Sequence, residues 1–105
     1  MIVEDMSFDG LNEEYKHKII GILKILFPAA KFYLFGSRTR GVFIDRSDID
    51  LAVDNGVGKE RLRLGEAKTV LEGLRIPYKI DLVDLNNVPD SMRQIILKEG
   101  VLWND

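Results

Sequence analysis

Residues 47–53 have the sequence Ser-Asp-Ile-Asp-Leu-Ala-Val, and this alternation of polar and apolar residues predicts a β-strand over residues 48–53 with one buried face. The apolar residues of the strand share one face, which leaves Asp48 and Asp50 together on the opposite face. Two carboxylates one pleat apart repel each other, so the pair adds nothing to the stability of the strand. The pair is therefore either solvated surface or a site for a hard divalent cation such as Mg²⁺, which prefers carboxylate oxygens.

A third carboxylate lies further along the chain, where residues 78–83 predict another strand. Ile80 and Leu82 share one face of this strand, and Asp81 lies on the other. Aspartate is disfavoured within strands, so Asp81 indicates a function, and it converges on the acidic pair if the two strands are neighbours. Three carboxylates at one place suit a two-metal phosphoryl-transfer site. Asp84 competes for the third position, but its parity places it on the Ile80 face or at the end of the strand.

The segment upstream of the acidic strand contains a glycine-rich loop. Residues 31–35 predict a short strand, which leads into Gly36-Ser37-Arg38-Thr39-Arg40-Gly41. Glycine permits a close approach of the backbone to a ligand, and the serine hydroxyl and the two arginines suit phosphate. Taken alone, the loop is equally consistent with a polar surface turn. It is not a Walker P-loop, because two apolar residues follow its last glycine.

The remaining segments predict helices packed against a small sheet. Helical spacing of apolar residues extends over residues 11–27, 59–74 and 91–99, with Asn12 and Asp90 as N-caps. The element order is α-β-α-β-α-β-α, in which the segment between the first two strands has room for a short helix or a loop. This order predicts an α/β (α+β) fold with about three strands, and the tail 101–103 is expected to pack on the core.

The second half of the first helix, residues 19–27, is apolar almost all round. A helix of this kind is buried on more than one side. It is therefore either the core helix of a small domain or a helix that a partner protein partly covers.

Composition excludes several classes of protein. The chain has 105 residues, no cysteine, and a net charge of −2 from 15 Lys and Arg against 17 Asp and Glu. We expect one domain over residues 1–105 and no general affinity for nucleic acid, since proteins that bind it are usually basic. Disulfides and thiol catalysis are excluded. No apolar run is long enough to span a membrane and the N-terminus is acidic, so we expect no membrane partner and a cytoplasmic location.

Taken together, these motifs resemble a known family. The pattern Gly36-Ser37, ten residues, then Asp48-x-Asp50 is similar to the signature of the nucleotidyltransferase superfamily that includes DNA polymerase β. The wider match, GSRTRG, SDIDLAV and later KIDLV, resembles the minimal nucleotidyltransferase (MNT) group and covers most of the chain. The resemblance implies a single minimal nucleotidyltransferase domain with a small mixed β-sheet and helices packed against it.

The resemblance also implies a role for each residue of the site. Gly36 and Ser37 would cradle the phosphates of ATP, and Arg38 and Arg40 would neutralise phosphate charge. The metal ligands would be Asp48 and Asp50, which hold two Mg²⁺ ions, together with Asp81, which binds the catalytic ion and helps to take the proton of the acceptor hydroxyl. The chemistry is positioning plus charge neutralisation, as in other phosphoryl transfers.

MNT proteins are commonly found beside HEPN-domain toxins, which are RNases. The resemblance therefore implies transfer of AMP from ATP to a tyrosine of a HEPN toxin, with this chain as the antitoxin. The alternative is a non-catalytic antitoxin that neutralises the HEPN RNase by binding alone. A third hypothesis, a small metal-dependent nuclease, lacks the Glu-x-Lys that usually accompanies such acids.

Overall fold

The computed structural model describes residues 11–39, 48–56 and 62–104. Within these ranges the secondary structure runs in the following order: α1 (Glu13–Leu26), β1 (Lys31–Phe35), a 3₁₀ turn (Ser37–Thr39), β2 (Ile49–Asp54), α2 (Leu64–Glu72), β3 (Ile80–Asp84), α3 (Asp90–Glu99) and β4 (Val101–Leu102). The mixed α/β fold predicted from the sequence is confirmed. Arg40 and the first residues of the predicted second helix lie outside the described residues.

The strands form one mixed sheet in the order β3-β2-β1-β4. Strand β1 is antiparallel to β2 and to β4, whereas β2 and β3 are parallel. The sheet has four strands where about three were predicted, because the tail pairs with β1 rather than only packing on the core. Beyond β4, Trp103 N donates to Phe32 O at 2.7 Å, and the Asn104 side chain accepts from Phe32 N at 2.8 Å. A two-residue strand is too short to carry a period-two signal.

The two faces of the sheet are covered differently. On the first face, Ile49, Leu51 and Val53 are fully buried in the main core, which also contains residues of α1 and α2. On the second face, a smaller cluster forms around Ala52 and Ile96, where α3 packs. The acidic residues lie on this second face and remain half-buried.

The helix ends follow local sequence signals. Asn12 caps α1 as predicted, since its side chain accepts from Glu14 N at 2.7 Å. Helix α2 ends at Glu72, earlier than predicted, because a turn with positive φ at Arg75 (φ 55°) follows. Helix α3 begins at Asp90 with Pro89 as its N-cap, so the prediction of Asp90 as the N-cap is wrong by one residue.

The apolar half of α1 is buried through Ile19 and Leu23 but leaves Ile25 76% exposed. This half of the helix therefore belongs to the core and still presents an apolar side chain to a surface. None of the helices in the described part of the chain is both long enough and apolar enough to cross a lipid bilayer.

Candidate functional site

The pairing of the strands brings the predicted site residues into one row. Asp50 on β2 lies opposite Phe35 on β1 and opposite Asp81 on β3. Gly36 follows Phe35 directly, and Asp48 immediately precedes β2. The glycine turn, Asp50 and Asp81 therefore lie side by side across three strands, as the sequence predicted if the two acidic strands were neighbours.

Gly36 has a backbone conformation and surroundings that favour glycine. Its φ is +84°, and a Cβ there would lie 2.5 Å from Asp50 Oδ2. The turn after it is held by two bonds to the Gly36 carbonyl oxygen, from Thr39 N at 3.1 Å and from Thr39 Oγ1 at 2.8 Å. The backbone of the turn is thus fixed directly against a carboxylate of the acidic row, with Ser37 as its first residue.

The electrostatics of Asp50 reflect the crowding of acids. Burial raises the pKa of the Asp50 carboxyl, and the negative charges of Asp81 and Asp48 raise it further. The positive charges of Lys79 and Arg38 act in the opposite direction. Lys79 Nζ lies 3.8 Å from Asp81 Oδ1, so one cation already partly balances the row. The predicted repulsion is present, and a divalent cation would relieve it.

The donor chemistry of this row suits Mg²⁺, since all three side chains offer carboxylate oxygens. Across residues 11–39, 48–56 and 62–104, no three acidic or histidine side chains are already arranged to hold a metal ion. Metal binding by Asp48, Asp50 and Asp81 therefore stays a prediction that the chemistry of the donors supports.

Arg38 is placed in a way that the sequence did not indicate. Only 1% of this residue is exposed, and its guanidinium lies 4.8 Å from the centre of the Tyr78 ring. Tyr78 in turn packs edge-to-face against Tyr15 of α1, with ring centres 6.1 Å apart. Arg38 is thus a buried cation next to the acidic row, and its contact with phosphate stays a prediction.

The competing acid, Asp84, has a different environment. It lies opposite Val53, at the far end of β2 from Asp50. Its Oδ2 accepts from Leu62 N at 3.0 Å and from Asn87 Nδ2 at 2.7 Å. These bonds tie the start of α2 and the turn after β3 to the sheet, so Asp84 has a structural role and Asp81 is the better candidate for the site.

Comparison with known proteins adds a family to this geometry. A family profile described as polymerase beta, nucleotidyltransferase matches residues 17–104. The chain is 34% identical over 88 residues to a protein of Methanocaldococcus jannaschii described as a protein adenylyltransferase, covering 84% of this chain and 92% of the relative. It is 31% identical over 81 residues to a protein of Haemophilus influenzae described as the protein adenylyltransferase MntA, covering 77% of this chain and 71% of the relative.

Solved structures show the same similarity in three dimensions. A toxin-antitoxin complex with AMP-PNP matches with a TM-score of 0.70 and 29% identity, covering 85% of this chain and 72% of the other. A complex of a tri-AMPylated HEPN toxin of Shewanella oneidensis with an MNT antitoxin matches with a TM-score of 0.66 and 26% identity, covering 88% of this chain and 71% of the other.

Proposed function

The chain belongs to the polymerase β nucleotidyltransferase family and is a nucleotidyltransferase, and from this premise we propose that it transfers AMP from ATP to a tyrosine hydroxyl of a HEPN-type toxin. By this modification it acts as the antitoxin of that toxin. The observation that carries the proposal is the row formed by Gly36, Asp50 and Asp81 across three adjacent strands. In this row, a backbone turn without a Cβ at Gly36 lies beside the acidic residues, and the sequence spacing between them is that of the family signature.

The nucleotide would bind with its β and γ phosphates at the glycine turn. Gly36 lacks a Cβ, so its backbone can lie close to a phosphate without displacing Asp50. Ser37 adds a hydroxyl donor to the same turn. The charge of Arg38 is held within the protein beside Asp50, and Arg40 would supply a second cation near the phosphates.

Three carboxylates would hold the two Mg²⁺ ions that we expect in the working enzyme: Asp48, Asp50 and Asp81. When bound, such ions polarise the α-phosphate and neutralise the charge that develops on pyrophosphate. The donor set supports this assignment because burial and mutual repulsion already raise the pKa of Asp50.

The transfer itself is an in-line displacement. The acceptor oxygen attacks the α-phosphorus and forms a new P–O bond, while the bond from that phosphorus to the bridging oxygen breaks. Pyrophosphate leaves with the electron pair, and the hydroxyl proton passes to the Asp81 carboxylate. Asp81 is accessible for this step because 37% of its side chain is exposed. Positioning and charge balance supply most of the catalysis in reactions of this class.

The nature of the acceptor is supported by relatives. Similar proteins are described as protein adenylyltransferases, and similar structures contain a HEPN toxin that carries AMP or hold AMP-PNP. We propose that this chain likewise acts on a HEPN-type toxin and uses ATP, and that it does so as a single domain.

The experiment that tests the proposal incubates the purified chain with ATP labelled at the α-phosphate, Mg²⁺ and a HEPN-domain toxin. We expect the label to move to a tyrosine of the HEPN protein and the transfer to be lost in Asp50→Asn. Asp90→Asn is the matched control, since Asp90 is exposed at the start of α3. If Asp50→Asn still neutralises the RNase without any transfer, the antitoxin works by binding alone and the proposal is wrong.

A further inference from the structure

The guanidinium of Arg38 lies at the end of the sheet, on the side of the main core. It sits over the ring of Tyr78, with 4.8 Å between the guanidinium carbon and the ring centre. Tyr78 packs against the main core and against Tyr15 of α1, whereas Asp50 lies on the opposite face of the sheet. Because only 1% of Arg38 is exposed, its side chain is enclosed by protein rather than presented to a nucleotide on the acidic face.

The contact between Arg38 and Tyr78 spans the acidic row from below. Arg38 belongs to the turn that follows β1, and Tyr78 lies three residues before Asp81, in the segment that leads into β3. Strand β2, which carries Asp50, lies between β1 and β3. The contact therefore joins the two outer members of the row, the glycine turn and the strand of Asp81, although their strands do not pair with each other.

The glycine turn has its own hydrogen bonds, which set its shape but not its distance from β3. Thr39 N and Thr39 Oγ1 both donate to the Gly36 carbonyl oxygen, at 3.1 Å and 2.8 Å. A planar guanidinium stacked on an aromatic ring is a contact of defined geometry, which a lysine in the same place does not reproduce. The stack on Tyr78 can therefore fix the turn relative to the strand that follows the ring.

The charge of Arg38 also fits this place. Burying a cation is costly unless opposite charges lie nearby, and the acidic row provides them. Burial and the neighbouring acids raise the pKa of Asp50, and the positive charges of Lys79 and Arg38 act against this rise. The guanidinium is thus compensated by the row without having to reach the face on which a nucleotide would bind.

We propose that Arg38 is a positioning residue, which holds the glycine turn at a fixed distance from Asp81 by stacking on Tyr78 and does not itself contact phosphate. The inference rests on the proposed function, since it assumes that phosphates bind at the turn and that Asp81 serves the acceptor oxygen. The α-phosphorus must then lie between the two, and a misplacement of about 1 Å can lower the rate about 100-fold.

The first test measures the kinetics of AMP transfer to a HEPN-domain toxin. Tyr78→Leu removes the ring and keeps Arg38, and Phe27→Leu is the matched control, because Phe27 is also partly buried against the main core. We expect Tyr78→Leu to lower kcat about 100-fold, with the KM for ATP and the affinity for AMP-PNP within about twofold of the wild type, since the turn itself is intact. Phe27→Leu should keep the wild-type rate while it is folded.

Arg38→Met and the double variant Arg38→Met/Tyr78→Leu complete a mutant cycle. If the two residues act as one contact, the double variant should transfer AMP no more slowly than the slower single variant. An affinity for AMP-PNP that falls in Arg38→Met but not in Tyr78→Leu would show that Arg38 binds phosphate and would overturn the proposal. It would also be overturned if Tyr78→Leu transferred AMP as fast as Phe27→Leu, since the contact would then only stabilise the fold.

The second test does not depend on transfer. Amide hydrogen exchange at Thr39, whose N–H donates to the Gly36 oxygen, reports local opening of the turn in the chain alone. We expect this exchange to be about tenfold faster in Tyr78→Leu than in Phe27→Leu, as for the loss of one buried cation–π contact. Equal exchange rates in the two variants would refute the link between ring and turn. Faster exchange in Tyr78→Leu, together with a wild-type chain that transfers no AMP, would support the link and contradict the proposed function.

Discussion

Replacing Gly36 with alanine tests two roles of this position, its part in the stability of the fold and its part in AMP transfer. The residue has φ +84°, a conformation that costs a residue with a Cβ about 1–2 kcal/mol. The new Cβ would also lie 2.5 Å from Asp50 Oδ2, well inside van der Waals contact. Because that oxygen is the end of a side chain, the carboxylate moves rather than the strand. The expected loss of unfolding free energy is therefore about 1–3 kcal/mol.

The effect on catalysis should exceed the effect on stability. A displacement of a catalytic group by about 1 Å can cost about 100-fold in rate. We expect AMP transfer by Gly36→Ala to fall by about that factor, while the melting temperature falls by roughly 4–8 °C for each kcal/mol lost. The assay compares initial rates of labelled AMP transfer, at a temperature where the variant is folded, with thermal unfolding followed by circular dichroism.

Two other glycines provide matched controls. Gly21 is exposed on α1 with nothing within 4 Å of an added Cβ, so Gly21→Ala should gain up to about 1 kcal/mol and keep full activity. At Gly100 an added Cβ would collide with the backbone oxygen of Ile96, and no atom of the acidic row is among its nearest neighbours. Gly100→Ala should therefore lose stability and retain its rate while folded. The reasoning is refuted if folded Gly36→Ala transfers AMP as fast as folded Gly100→Ala.

Three further predictions use the same measurements. Burial and like charge raise the pKa of Asp50 in the folded protein, so the ionised carboxyl costs stability at neutral pH. Asp50→Asn should therefore melt at a higher temperature than the wild type at pH 7. This difference in melting temperature should vanish as the pH falls to the ordinary carboxyl pKa of 3.8. Equal melting temperatures at pH 7 would contradict the inference that burial and neighbouring charges destabilise the ionised Asp50. Asp84→Asn should lose about 1–3 kcal/mol of unfolding free energy, measured in urea, because the new side-chain amide replaces a carboxylate oxygen that accepts from Leu62 N and Asn87 Nδ2. This variant should keep its transfer rate. Asp81→Asn should instead lose transfer without a comparable loss of stability. Tyr78→Leu should lower the free energy of unfolding by about 0.5–2 kcal/mol through the lost ring contacts with Arg38 and Tyr15, and Tyr78→Phe should lower it little. Equal losses for the two variants in urea would show that the ring itself does not stabilise the fold.

The sequence predicted the acidic row because its evidence is local. Parity within a strand is fixed by the pleat, so Asp50 and Asp81 were assigned to their faces before their strands were known to be neighbours. The choice of Asp81 over Asp84 followed from the same parity, and the hydrogen bonds that Asp84 accepts support it. Such assignments do not require knowledge of contacts between residues that are distant in the chain.

The features that the sequence did not predict depend on distant contacts. Strand β4 exists because Val101 and Leu102 meet Leu34 and Tyr33, about 70 residues earlier in the chain. Arg38 is covered by Tyr78, which lies just before β3, and its place beside Arg38 follows from the pairing of β3 with β2. An arginine in a glycine-rich loop gives no local sign that an aromatic ring will cover it. Tyr78 belonged to the strand predicted over residues 78–83, and nothing in that pattern pointed to Arg38.

The two faces of β2 explain how the protein keeps a costly acid in place. Ile49, Leu51 and Val53 are fully buried on one face, so the backbone that carries Asp50 is fixed by the main core. The intervening carboxylate can then remain crowded by burial and by its neighbours without moving away, which is the preorganisation that charge-neutralising catalysis requires. A structural acid would behave differently, since its removal would cost stability, as we expect for Asp84. An acid whose removal stabilises the fold and abolishes transfer is retained for chemistry alone, and that opposite pair of effects at Asp50 identifies the site more surely than loss of activity by itself.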